Sequence, residues 1–201
     1  MPRVLVIGNK QCDVNLDHII DSFDIIYRCN LAWPGKNNGT KFGKLAMCCH
    51  VYENFIKNPK SKHQILNIYS TDYASEYLNE WYDFFQENKD KFDEIYHQDE
   101  HKWGKWNSML ESYNSPYKFS RMATTGYSTI FEAMVDNSNE VHVAGFTLDK
   151  DELRASMGVL DSITKKENDG GGVHSFGDEV NILNWLHTNK KVDATLCEVK
   201  Q

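Results

Sequence analysis

The stretch HSFGDE places His174 five residues before Glu179, at the head of an apolar run, VNILNWL. Histidine titrates near neutrality and can take a proton from an attacking hydroxyl. Glu179 falls in the first turn of the helix predicted over 178–188. There it either orients the imidazole or complements the helix dipole. In ATTGYSTIFEAM, residues Thr124, Thr125 and Gly126 open an amphipathic stretch. Free N–H groups and the positive dipole end make such a start a seat for phosphate, and threonine there equally serves as an ordinary N-cap. VLVIGN ends an apolar run in Gly8 and Asn9. It lacks the second and third glycines of a dinucleotide fingerprint and fails as one. Gly8 would still admit a ligand close to the backbone, and Asn9 offers both a donor and an acceptor. A plain strand-ending turn is the other reading. FDIIYRCN closes an apolar strand with Arg28 and Asn30. The histidines His18, His50, His63, His97, His101, His142 and His187 show no metal-ligand spacing, and no DxD or clustered carboxylate pair occurs. No catalytic metal or other cofactor is therefore expected.

These groups need elements to hold them. RVLVIG (3–8), FDIIYR, LAMCCHV, QILNIYS (64–70) and NEVHVAGF (139–146) read as strands, and DEIYHQ is a further candidate. A short helix is predicted over 14–21. The aromatic spacing of Tyr73, Tyr77, Trp81, Phe84 and Phe85 predicts another. Two more are predicted from about 124 to 136 and over 178–188, with a small last strand near 192–197. Residues 33–44 form a loop by their glycines and asparagines, and 98–122 have no clear period. Strands alternating with helices predict one α/β domain over 1–201, with a mostly parallel sheet and helices on both faces. Ligands in such sheets bind beyond the carboxyl ends of the strands. Gly8 with Asn9, Arg28 with Asn30, and Gly145 with Phe146 would then share one rim.

The chain has 201 residues, 40% of them hydrophobic and 25% charged, enough for a core. Its net charge of -7 argues against a general nucleic-acid coat while leaving room for a local basic groove. Five cysteines without a CxxC, two of them adjacent (Cys48 and Cys49), read as reduced thiols. No apolar run has the length of a signal peptide or a membrane span, so a cytoplasmic location is expected.

Taken in order, the pieces resemble the sialyltransferases, both the eukaryotic-type family and its small bacterial relatives. The family's large nucleotide motif is similar to VIGN (6–9), FDIIYRCN (23–30) and TKFGK (40–44). Its small motif is similar to TTG (124–126) and EVHVAGF (140–146), and its final histidine-glutamate pair to His174 and Glu179. The resemblance implies a Rossmann-like, GT-A-like fold and metal-independent, inverting transfer from a CMP-sugar. It implies that Asn9 and Asn30 contact the CMP, that Thr125 and Gly126 face the nucleotide, that Arg28 braces its loop and that His174 is the general base. Lys10 stands where the family often has serine. The family's aromatic-rich third motif is not recognisable between 147 and 173, so the phosphate ligand falls to Tyr127, His142 or a residue of 147–172. That segment, with its triple glycine, is expected to act as a lid.

The acceptor side is expected in 98–122. Lys102, Lys105, Lys118 and Arg121 interleave there with Trp103, Trp106, Tyr113 and Tyr117. Aromatic faces beside cations suit a sugar ring, or a flipped-out base beside phosphates, and an ordinary amphipathic surface with buried tryptophans is the plain alternative. A soluble, anchorless chain rich in asparagine and lysine is expected to suit a phage-type enzyme, which makes a hydroxymethylated pyrimidine of phage DNA one candidate acceptor and the host cytoplasm the location. A glycan or lipopolysaccharide is the other. A CMP-sugar hydrolase and a non-catalytic nucleotide-binding module remain as different classes of protein.

Overall fold

The computed structural model describes residues 1–8, 10, 15–29, 32, 39, 41, 43–48, 65–69, 97–98, 102–149 and 174–197; for 45, 47–48, 65–69, 97–98 and 102–103 it is the backbone that is described. The expected helix around 73–85 lies outside these residues, as does the expected lid over 147–173 from residue 150 onward.

Six strands form one sheet among the described residues: β1 (Arg3–Ile7), β2 (Ile25–Cys29), β3 (Lys44–Cys48), β4 (Ile65–Tyr69), β5 (His97–Gln98) and β6 (Glu140–Ala144). Their order is β5-β4-β3-β2-β1-β6, and every neighbouring pair is parallel. The chain steps outward from β1 to β5 and then returns to the far side of β1. The strand order therefore reverses between β1 and β6.

Strand β1 reads as an unbroken apolar run because both of its faces are covered. Val4 and Val6 join Val141 and Val143 in one cluster, together with residues of α1 (Lys102–Ser112), α2 (Thr125–Val135) and α3 (Phe176–Thr188). Leu5 and Ile7 turn to the other face, against Leu16, Ile20, Phe23 and Ile26. Among the described residues that second face carries two 3-10 turns, Leu16–His18 and Ile20–Ser22, in place of the single helix expected over 14–21. Asn15 caps the first, accepting from the Asp17 N–H at 2.8 Å. The Ser22 hydroxyl bonds back to the Ile19 carbonyl at 2.6 Å, which favours the tighter winding.

Helix α1 occupies 102–112 of the stretch in which the sequence showed no clear period. It stops where Asn114 takes a left-handed φ of 60° and the Ser115 N–H reaches back to the Leu110 carbonyl at 2.9 Å. Helix α2 is deeply buried, with Ile130 and Phe131 fully covered, and it packs on β1, β2, β3 and β6. The strand expected near 192–197 is instead a single parallel bridge, His142 with Asp193, followed by the 3-10 turn Thr195–Cys197. The Asp193 carboxylate accepts from the Thr195 N–H at 2.9 Å and curls the chain out of an extended path.

Candidate active site

The carboxyl ends of β1 and β6 meet backbone to backbone. The Gly8 N–H donates to the Ala144 carbonyl at 2.8 Å, and the Lys10 N–H to the Gly145 carbonyl at 3.0 Å. A Cβ on Gly8 would collide with the Gly145 carbonyl oxygen. One on Gly145 would lie 2.7 Å from the Gly8 oxygen and 2.8 Å from the Lys10 oxygen, and Gly145 has a φ of 69°. Both positions therefore require glycine. This is the point where strand order reverses, where an open α/β sheet forms its ligand crevice.

Phe146 joins the third element to this rim. Its ring lies 3.1 Å from where a Gly8 Cβ would be and 2.7 Å from where a Gly126 Cβ would be. Tyr127 stacks edge-on against it, with centroids 5.7 Å apart. The first turn of α2, holding Thr125 and Gly126, is thereby pressed onto the ends of β1 and β6. Burial first, then the Glu179 charge and Cys197, push the Tyr127 phenol well above its usual range. Asn9 and Asn30 lie outside the described residues.

Arg28 is fully buried on the face of the 3-10 turns. Its guanidinium donates to the carbonyls of Ala32 at 3.0 Å, Gly39 at 3.1 Å and Lys41 at 2.6 Å. One planar fork thus gathers three loop carbonyls behind the end of β2. This geometry ties the guanidinium to the loop and holds it away from the solvent side of the rim.

On the other side of α2, segment 120–124 is strapped to segment 174–179. His174 forms a parallel bridge with Met122. Its Nδ1 lies 2.8 Å from the Met122 carbonyl. A carbonyl can only accept, so Nδ1 carries the proton and Nε2 carries the basic lone pair. Glu179 is almost fully buried. Its two oxygens take the Thr124 N–H at 2.6 Å and the Thr124 hydroxyl at 3.2 Å. Thr124 is the N-cap of α2, but its hydroxyl makes no capping bond within its own helix. The carboxylate that a capping box would draw from the same helix comes here from α3. Asp178 does the same for Ser120, accepting from its N–H at 3.0 Å and from its hydroxyl. Sequence reading missed Ser120, the Met122 carbonyl and Asp178. The adjacent acids in the first turn of α3 were the one available signal.

Two expected roles are corrected. Trp106 is fully buried between α1 and α2, its ring 5.6 Å from that of Phe131. It belongs to the core and cannot offer a face to an acceptor. His142 is buried mid-strand on the face of the 3-10 turns, between Glu140 at 2.8 Å and Asp193 at 3.1 Å. It cannot serve as a phosphate ligand at the rim. Lys105 is exposed, with its ammonium 4.9 Å from the Trp106 ring, and Arg121 is half-buried. The side chains of Lys102 and Trp103 lie outside what is described. Among the described residues no three His, Cys, Asp or Glu side chains are grouped to hold a metal, and no helix is long and apolar enough to cross a membrane.

No family profile matches the chain, and no curated protein does. Solved structures do. The sialyltransferase CstII from Campylobacter jejuni, in complex with the substrate analogue CMP-3FNeuAc, aligns over 98% of this chain and 81% of its own, with 16% identity and a TM-score of 0.51. A structure of CST-II with a trisaccharide acceptor and CMP aligns over 97% of this chain and 81% of its own, with 15% identity and a TM-score of 0.48. The first likeness shows the fold: an α/β parallel sheet with helices, of the sialyltransferase kind.

Proposed function

We propose that this protein is a metal-independent, inverting glycosyltransferase that moves a sugar from a CMP-sugar to an acceptor hydroxyl. The observation that carries the reading is His174, held as the Nδ1–H tautomer by Met122 beside the N-terminus of α2. A base and a phosphate seat on adjoining segments, at the point where strand order reverses, suit group transfer from a nucleotide. The fold neighbour's complex with a CMP-sugar analogue supports CMP as the nucleotide.

In this mechanism the acceptor oxygen attacks the anomeric carbon while its proton passes to Nε2 of His174. The bond from that carbon to the phosphate oxygen breaks on the opposite face, and CMP leaves with the bonding pair. Charge growing on the phosphate is met by the first N–H groups of α2 and the dipole behind them. Gly8, Gly126 and Phe146 shape the floor, Arg28 braces the loop that follows β2, and Asn9, Asn30 and Lys10 supply polar contacts to the nucleotide. The phosphate ligand falls to Tyr127 or to a residue of 147–172. Glu179 holds the start of α2 through Thr124.

The test is a thermal-shift series with CMP, UMP, GDP, UDP and NAD. A ligand at about 100 times its Kd stabilises the fold by about 2.7 kcal/mol, a shift of several degrees for a domain this size. CMP alone is expected to give it. A shift with UDP or NAD and none with CMP overturns the donor assignment. Transfer assays then offer hydroxymethylated DNA and an oligosaccharide side by side, with Lys102, Trp103, Lys105 and Arg121 as the acceptor-side residues. Product on the oligosaccharide alone rejects the DNA acceptor, and free sugar without any acceptor indicates a hydrolase.

A further inference from the structure

We propose that Asp178 and Glu179 form a two-point clamp that fixes the base against the nucleotide seat, Glu179 acting on the seat and Asp178 on the base. This rests on the reading of the site given above. Positions 120, 122 and 124 are two apart, so an extended segment presents all three along one edge. At each position that edge meets the segment beginning at His174: Ser120 meets Asp178, the Met122 carbonyl meets the imidazole, and Thr124 meets Glu179. Each carboxylate takes both a backbone N–H and a hydroxyl, and such charge-assisted pairs hold geometry better than single neutral bonds.

The two ends of the clamp have different duties. Glu179 seizes the residue that begins α2, so it sets where the first N–H groups of that helix point. Both of its oxygens are engaged with Thr124, while the imidazole takes its orientation from a backbone carbonyl. Asp178 holds the other end of the same edge, two residues before the carbonyl that selects the tautomer of His174. Loss of Glu179 should disturb nucleotide affinity, and loss of Asp178 should disturb the base.

The experiment reads both ends in the free protein and then with CMP. Amide hydrogen exchange over 124–128 reports the helix start, and the ring 15N shifts of His174 report its tautomer. In Glu179→Ala, exchange at Thr124 rises and CMP affinity falls by about tenfold or more. Glu179→Gln, which keeps an acceptor for the Thr124 N–H, returns affinity to within about threefold. In Asp178→Ala, CMP affinity stays at the parent value while the Nδ1–H signature of His174 gives way to mixed tautomers and kcat falls. Should an alanine variant fail to fold, Glu179→Leu and Asp178→Leu, which fill the space but offer no acceptor, must still split the same way, the first moving Thr124 exchange alone and the second the imidazole alone. The clamp is overturned if Glu179→Ala cuts turnover with exchange and CMP affinity untouched, or if Asp178→Ala leaves a single Nδ1–H tautomer. If exchange and tautomer respond as stated but the parent protein binds no CMP, the clamp stands and the nucleotide reading falls.

Discussion

At the scale of single residues, burial separates chemistry from support. His174 is half-buried, and the Met122 carbonyl fixes the proton on its Nδ1, so in the neutral ring Nε2 is the basic nitrogen. His174→Ala is expected to remove most turnover and leave CMP binding within about twofold, because general-base catalysis contributes on the order of 10²–10⁴ in rate. Turnover that survives the substitution refutes the base assignment. Arg28 sits at the other extreme, fully buried and committed to three carbonyls. Arg28→Leu strands those acceptors and should destabilise the fold by about 3–5 kcal/mol, read by urea denaturation. Arg28→Lys should recover little of it, since one ammonium cannot span the fork. Full recovery by lysine would show that charge alone, and not the planar geometry, holds the loop. Cys29 belongs with the support: burial, only partly offset by a hydrogen bond with Thr129, pushes its thiol up to about 12 and makes it a poor nucleophile.

At the scale of elements, the site depends on how closely β1, β6 and α2 approach one another. Gly145→Ala places a methyl against two carbonyl oxygens at a left-handed φ. The expected cost is on the order of 2–4 kcal/mol, a fall in Tm of roughly 5–10 °C. Gly126→Ala differs in kind. It improves helix propensity but presses a methyl 2.7 Å from the Phe146 ring. The ring can give way, so the expected result is a small change in Tm with weaker CMP binding, measured by calorimetric titration. If both variants bind CMP as the parent does, this rim is not the nucleotide floor.

At the scale of the whole molecule, the far edge of β6 is closed by the chain's last described segment. Asp193 accepts from and donates to the β6 backbone through Val143 and Val141, and its carboxylate pairs with His142 at 3.1 Å. Burial by itself would raise the Asp193 carboxyl. The N–H and hydroxyl of Thr195, with the charges of His142 and His187, outweigh burial and hold it below its usual 3.8. A depressed carboxyl contributes stability that is fully present above its unfolded pKa and is lost as pH falls through the folded one. Exchange of the Val143 and Asp193 amides should therefore accelerate on acidification below about pH 4. Asp193→Asn should be acid-insensitive there. Equal acid responses in parent and variant would place the sensitivity elsewhere.

The residues determined by themselves that this is an α/β chain with parallel strands. Periodicity and alternation of apolar runs are local properties, and they placed Gly8, Arg28, Gly126 and Gly145 at the ends of elements before any contact was known. Only the tertiary structure decided which face each residue takes and what it meets there. Trp106 and Trp103 look alike in sequence, and it is the packing of α1 on α2 that puts Trp106 in the core. His142 is a polar residue in a strand, and only the register against β1 and the arrival of Asp193 show which face it serves. The clamp was least legible, because its partners lie 55 and 58 residues apart. A contact at that distance leaves no period in the chain, and it forms only when the sheet has brought both segments to the same rim.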